Sequence, residues 1–237
     1  MKPLFRSFYM LIRQISKDSM LYAVIFAPLI AACIFRFGIT YAETMLCNYF
    51  GKASILAGYY LLFDILIAIL TPVMFSFASS MVILTEYDEN ITNYIAITPV
   101  SKRGYIVSRL VFPAALSFFA SAILICLLSL TRWNIFMLLV TCILSSIISL
   151  IVSLLIVSFS HNRVEGMALA KFSGLIFLGL PISFFMFSDI RYLFSFLPSF
   201  WLGELCREEN YLYVIPAKLT SFFMIWILYG RFNKKLS

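Results

Sequence analysis

The sequence predicts an all-α integral membrane protein of about six transmembrane helices. Composition is the first observation: 62% of the 237 residues are hydrophobic and only 12% charged, with a mean hydropathy of +0.99. A soluble domain of this size carries roughly twice that charged fraction. Second, apolar runs of about 20 residues, enough to cross ~30 Å of hydrocarbon, recur along the chain. Third, Lys and Arg are unevenly divided among the connecting segments. With the amino terminus inside, twelve fall on the side of the termini and six on the other, the asymmetry of a cytoplasmic face. The net charge of +7 is therefore a topology signal and does not point to nucleic acid. No stretch is long and polar enough for a second domain, so residues 1–237 read as one membrane domain.

Taken in order, residues 1–18 form an amphipathic helix. Leu4, Phe8, Leu11, Ile12 and Ile15 mark one face, while Arg6, Arg13 and Lys17 lie elsewhere. Such a helix lies along the inner membrane surface, its basic side toward headgroups or a partner. The spans are expected at Met20–Phe37, Tyr59–Leu84, Tyr105–Leu130, Ile135–Phe159, Ala168–Phe187 and Leu212–Tyr229. Residues 190–205, broken by Pro198 and Gly203, are too short to cross and are expected to enter from outside and return.

Within the spans, Pro72 predicts a bend. Asp64, near the outer end of span two, either reaches interfacial water or contacts a substrate. Thr141, Ser145, Ser149 and Ser153 form a stripe at helical steps of four. The stripe suits close approach of another helix, and Ser145 and Ser149 are the alternative lining of a hydrophilic path. Cys47 and Cys206 are both expected outside, as a disulfide or as two free thiols.

Some chemistry is missing. There is no G-x-x-x-x-G-K-[ST] phosphate loop, so the chain does not bind ATP in that way. The single histidine, His161, provides neither a protease dyad nor a zinc site. No metal site, bound cofactor or catalytic residue is expected, which counts against an intramembrane enzyme.

The most informative stretch is polar: residues 85–104, TEYDENITNYIAITPVSKRG. Ile91, Tyr94, Ile95 and Ile97 give a short apolar edge at helical spacing. Asp88 and Glu89 are expected in the first turn, where the helix dipole favours acids, and Pro99 ends the helix. A short helix suspended between two spans acts as a lever on both, or simply as a solvated hairpin.

Glu86, followed by Thr98-Pro99-Val100-Ser101, resembles the E-x-x-x-G…[ST]-P-[VI]-[SR] region of type-2 ABC transporter permeases. Residues 162–166 (NRVEG) and 196–201 (FLPSFW) also resemble, respectively, the cytoplasmic loop before span five and the outer re-entrant segment of small drug-export permeases of this type. The resemblance spans nearly the whole chain. Asn90 departs from it, standing where the family usually has Gly. The resemblance implies that residues 85–104 are a coupling helix docking on a separate ATP-binding subunit, with Glu86, Asp88, Glu89, Ile91 and Tyr94 in contact. ATP and Mg would be held by that partner. A second permease, identical or homologous, would complete the path across a bacterial cell membrane, with both termini cytoplasmic. The implied activity is export of a drug, lipid or antimicrobial peptide. A stand-alone ion-coupled carrier using Asp64 is the alternative.

Overall fold

The computed structural model describes the backbone of residues 2–89, 101–186 and 188–235, and side chains over 5–89, 104–186, 188–233 and 235. Among these the chain is helical and contains no strand. Helix α1 (Lys2–Lys17) is followed after Asp18 by α2 (Ser19–Phe50), α3 (Ala57–Asp88) and α4 (101–128). Next come α5 (Ile135–Phe159), α6 (Arg163–Phe185), the short α7 (Pro198–Glu208) and α8 (Val214–Lys235). Six of these, α2 to α6 and α8, are long and apolar enough to cross a membrane.

The bundle is built around α3 and α5, which pack on each other and take α4, α6 and α8 around them. In their most apolar stretches 61% of α3 and 56% of α5 are buried, against 17% in α2 and in α8. The outer helices accordingly show Phe26, Ile30, Phe222 and Trp226 on the surface, the side chains that a hydrocarbon solvent accepts. The two chain ends share one face, called here the terminal face: Asp18, at the end of α1, pairs with Arg163, and Lys235 donates to the carbonyl of Ser160.

The serine stripe of Thr141, Ser145, Ser149 and Ser153 is buried within the bundle. Ser153 and Ser80 share a hydrogen bond of 2.8 Å between α5 and α3, and Thr141 meets Cys206 of α7 at 3.4 Å. Ser145 and Ser149 donate to carbonyls of their own helix, at 2.7 and 2.8 Å. Small side chains with internally satisfied hydroxyls let the two central helices approach.

Helix α1 buries Leu11 and Ile15 against the bundle, while Arg6 and Arg13 stay exposed. Ring contacts of Phe5 and Phe8 with Phe112, at 6.1 and 5.3 Å between centroids, fasten it to α4.

One expectation is corrected, and one open alternative is decided. Span one does not end at Phe37: helix α2 continues to Phe50 through a π-helical turn at Ile34–Ile39 and stops at Gly51, whose φ of 61° is the left-handed conformation of a helix terminator. Glu43 stabilises this extension by accepting the Ile55 and Leu56 amides at 2.9 and 2.6 Å. Cys47 and Cys206 are both free: Cys206 is buried beside Thr141, whereas Cys47 faces Glu43 on its own helix.

Residues 190–205 fold back through a 3₁₀ segment into α7, which packs on the second half of α6. Their approach depends on Gly179, where a Cβ would meet the Phe200 backbone, and on Gly203, where one would meet Ser183. Arg191 clamps the turn through Glu204 at 3.0 Å, and Arg207 donates to the Ser183 carbonyl.

Candidate functional site

The polar segment that begins at Thr85 starts within the last turn of α3, and that end is heavily anchored. Helix α3 continues without interruption to Asp88, with Glu89 as its C-terminal cap. The acids therefore end one helix, where the sequence reading had them open a new one. Residues 90–100, including Ile91 and Tyr94, lie outside the described residues.

Glu86 faces inward. It is 2% exposed and pairs with Arg109 of α4, itself 3% exposed. The Arg109 Nε donates to Glu86 Oε2 at 3.1 Å, its Nη2 donates to Oε1, and the Tyr105 hydroxyl donates to Oε2 at 2.8 Å. The remaining Nη1 reaches the Ser7 carbonyl of α1 at 2.7 Å. A single guanidinium thus joins α1, α3 and α4.

The backbone explains how Arg109 arrives there. It lies in a π-helical segment, Val107–Val111, and Pro113 follows four residues later. Proline has no amide hydrogen, so the Arg109 carbonyl loses the partner an α-helix would supply. The Ser79 hydroxyl of α3 donates to that carbonyl instead. The break in regular bonding is thus repaired from the neighbouring helix, at the level where the ion pair forms.

A second anchor involves Asp88, which is exposed and accepts the Arg163 amide at 3.1 Å at the start of α6. The Arg163 guanidinium in turn pairs with Asp18 between α1 and α2. Burial pushes the Asp18 carboxyl up, but Arg163 and the amides of Leu21 and Met20 outweigh it and hold it below the usual range. Asn162 caps α6 by accepting the Glu165 amide at 2.8 Å, and Glu165 accepts the His161 amide at 2.6 Å. His161 is exposed, the loop residue the sequence suggests. Lys235 closes the face by donating to the Val157 carbonyl at 2.8 Å, its ammonium 4.6 Å from the Tyr87 ring centre. Burial holds that ammonium below the usual lysine range, against the pull of Glu165 and Asp88.

Below this face a cavity of about 700 Å³ lies between α2, α3, α5 and α6. Met20, Met74, Phe77, Met167 and Phe177 contribute to a lining that is apolar apart from Lys171 and Ser173. No cluster of His, Cys, Asp and Glu suited to a metal ion occurs among the described residues.

The comparison with known sequences adds one decisive match. Residues 11–229 match the family described as Fluoroquinolones export permease protein Rv2686c-like. The chain belongs to this family. Two Mycobacterium tuberculosis relatives, from the H37Rv and CDC 1551 / Oshkosh strains, are named Fluoroquinolones export permease protein Rv2686c and MT2760. Each is 26% identical to this chain over 98 residues, a stretch that spans 39% of this chain and 38% of the relative's length. No solved structure matches.

Asp64 occupies a different site from the anchored face. It is fully buried, and accepts the Leu130 and Thr131 amides at 2.8 and 2.9 Å, the Thr131 hydroxyl at 2.6 Å and the Trp133 indole at 3.1 Å. It thus organises the turn between α4 and α5. Sequence reasoning counted Arg109 and Lys171 only among the twelve basic residues on the side of the termini. The available signal for Arg109 was its position four residues before Pro113 in an apolar run. For Lys171 it was a cation within the expected span Ala168–Phe187.

Proposed function

We propose that this chain is the membrane-spanning subunit of an ABC exporter, moving a hydrophobic or amphipathic compound with energy from a separate ATPase subunit. The observation that carries the reading is family membership over residues 11–229. The printed names of the two relatives make a fluoroquinolone the first cargo to test. In this reading the terminal face is cytoplasmic, both termini lie inside, and the membrane is the bacterial cell membrane. ATP and Mg are held by the partner, and a second permease, identical or homologous, completes the path.

The chain's own part in the mechanism is transmission. The ATPase docks on residues 90–100, with Ile91 and Tyr94 as the apolar contact and Asp88 and Glu89 as flanking charges. Glu86 supports that contact from inside the bundle: through Arg109 and Tyr105 it makes the end of α3 and the start of α4 one unit. Asp88 and Arg163 extend the unit to α6. A displacement of the docked segment is then delivered to three spans, which exchange between two packings. An ion-coupled carrier would need an acid free to load an ion, whereas Asp64 is saturated by four donors.

The test is mild solubilisation of the tagged chain from its native host, followed by mass spectrometry of what co-purifies and by fluoroquinolone accumulation in the same cells. An ATPase retained by the wild type and lost with Glu89→Lys plus Tyr94→Ala, with drug accumulation rising in parallel, is the expected result. Export that persists without any ATPase and collapses with the proton gradient would overturn the proposal.

A further inference from the structure

Lys171 is an unusual residue for its place. It lies eight positions after Arg163, the first residue of α6, so about 12 Å along a helix that spans the membrane. Among the described residues it forms no salt bridge, and its side chain is exposed at the cavity's edge. A lysine in such a position is costly unless it reaches water, headgroups or a ligand. Its surroundings are the apolar cavity between α2, α3, α5 and α6. The neighbouring hydroxyl, Ser173, donates to the Ala170 carbonyl at 2.7 Å and offers no competing donor. Met20 and Val164 on the rim are 42% and 71% exposed, so the cavity is not closed by the chain itself.

We propose that this cavity is a binding site for an amphipathic aromatic compound carrying one carboxylate. The carboxylate pairs with Lys171, and the aromatic body lies among Met74, Met167, Phe77 and Phe177. Thioether sulfurs and ring edges are favourable neighbours for a flat aromatic system and adapt to its outline. The volume of about 700 Å³ falls within the range of ligand pockets. A cation on an otherwise apolar wall sets the orientation, because it fixes where the charged end lies. The inference rests on the exporter reading and adds to it a site and a required chemical feature of the cargo.

The test uses the full chain in nanodiscs of phosphatidylcholine, with norfloxacin and its methyl ester as fluorescent probes, alongside accumulation of both in cells. The acid should bind about tenfold more tightly than the ester, the effect of one charge-assisted contact. Lys171→Gln should weaken the acid to the level of the ester and leave the ester unchanged, while Lys171→Arg restores the preference. Met167→Trp, which fills the cavity, should weaken both probes. Equal binding of acid and ester, or an equal loss of both in Lys171→Gln, would overturn the inference while ester export left the exporter reading intact. Displacement of the acid by phosphatidylglycerol, with no Lys171 dependence of drug export, would assign the lysine to a lipid headgroup and also overturn it. If neither probe binds or is exported, the inference and the fluoroquinolone reading fail together.

Discussion

Replacing either member of the Glu86–Arg109 pair removes a charge that its partner cannot replace from solvent. With Glu86 2% and Arg109 3% exposed, both ions sit out of contact with bulk water. Arg109→Met leaves a buried carboxylate with only the Tyr105 hydroxyl, and leaves the Ser7 carbonyl without its donor. Glu86→Gln leaves a buried guanidinium facing a neutral amide. Breaking such a pair from one side costs about 3–5 kcal/mol, whereas replacing both ions with apolar groups of similar size is often close to neutral. The double variant Glu86→Met, Arg109→Met should therefore be more stable than the sum of the single losses predicts. A coupling of about 3 kcal/mol or more is expected. For a chain of this length each kcal/mol is worth roughly 2–4 °C of melting temperature. The assay is thermal unfolding in nanodiscs, followed by tryptophan fluorescence, for wild type, both single Met variants and the double. If the two single losses simply add, the pair does not hold the terminal face together and the account of α1, α3 and α4 as one unit is wrong.

Three further outcomes follow from other contacts. Asp64→Ala should cost about 2–4 kcal/mol, because backbone amides at Leu130 and Thr131 lose a charged acceptor. Its signature is an altered Trp133 emission, and unchanged stability with lost transport would instead favour a substrate-path role. Gly179→Ala should destabilise by about 1–3 kcal/mol by overpacking, since the new Cβ would lie 3.0 Å from the Phe200 Cα. Gly174→Ala, with open space around it, should stay within about 0.5 kcal/mol; equal melting temperatures for the two variants would refute the packing argument. The Asp18–Arg163 bridge should act on stability from above the ordinary Asp18 value of 3.8 and be lost as the pH falls through the lower folded value. The stability deficit of Asp18→Asn at neutral pH should accordingly shrink below pH 3.8, and a deficit that persists there would contradict the assignment.

What could be read from the sequence follows from how local each signal is. Spans are legible because crossing a hydrocarbon layer needs a long uninterrupted apolar run, and α1 because its apolar positions repeat at the helical period. The small-residue stripe on α5 was legible as a contact face, but not that Ser80 would be opposite Ser153. The end of α2 was misread because hydropathy falls near Arg36 while the backbone still has no reason to leave the helix before Gly51. Glu86 illustrates the deeper limit. Its neighbours in sequence, Asp88 and Glu89, are exposed, so the three acids look alike. What separates them is the partner across the gap, Arg109, 23 residues away, brought to Glu86 by a π-helical segment with no compositional signature.

The anchored face and the cavity beneath it share two helices, and that decides where motion has to be absorbed. Asp88 ties the end of α3 to the start of α6, so a pull on the polar segment that follows Asp88 would act on both. Those same helices supply Met74 and Phe77 from α3 and Met167 and Phe177 from α6 to the cavity wall. For the cavity to change shape, each helix has to give way near its depth. Both contain a break there: Pro72 in α3, and the 3₁₀ segment Gly174–Leu178 in α6. Proline omits one backbone bond and permits a bend that a regular helix resists. Pro72→Ala should restore that bond and leave both thermal stability and ATPase co-purification at or above wild type, while slowing drug export severalfold. Export at the wild-type rate in this variant would mean that α3 moves as a rigid rod, and the hinge would have to be sought in α6 alone.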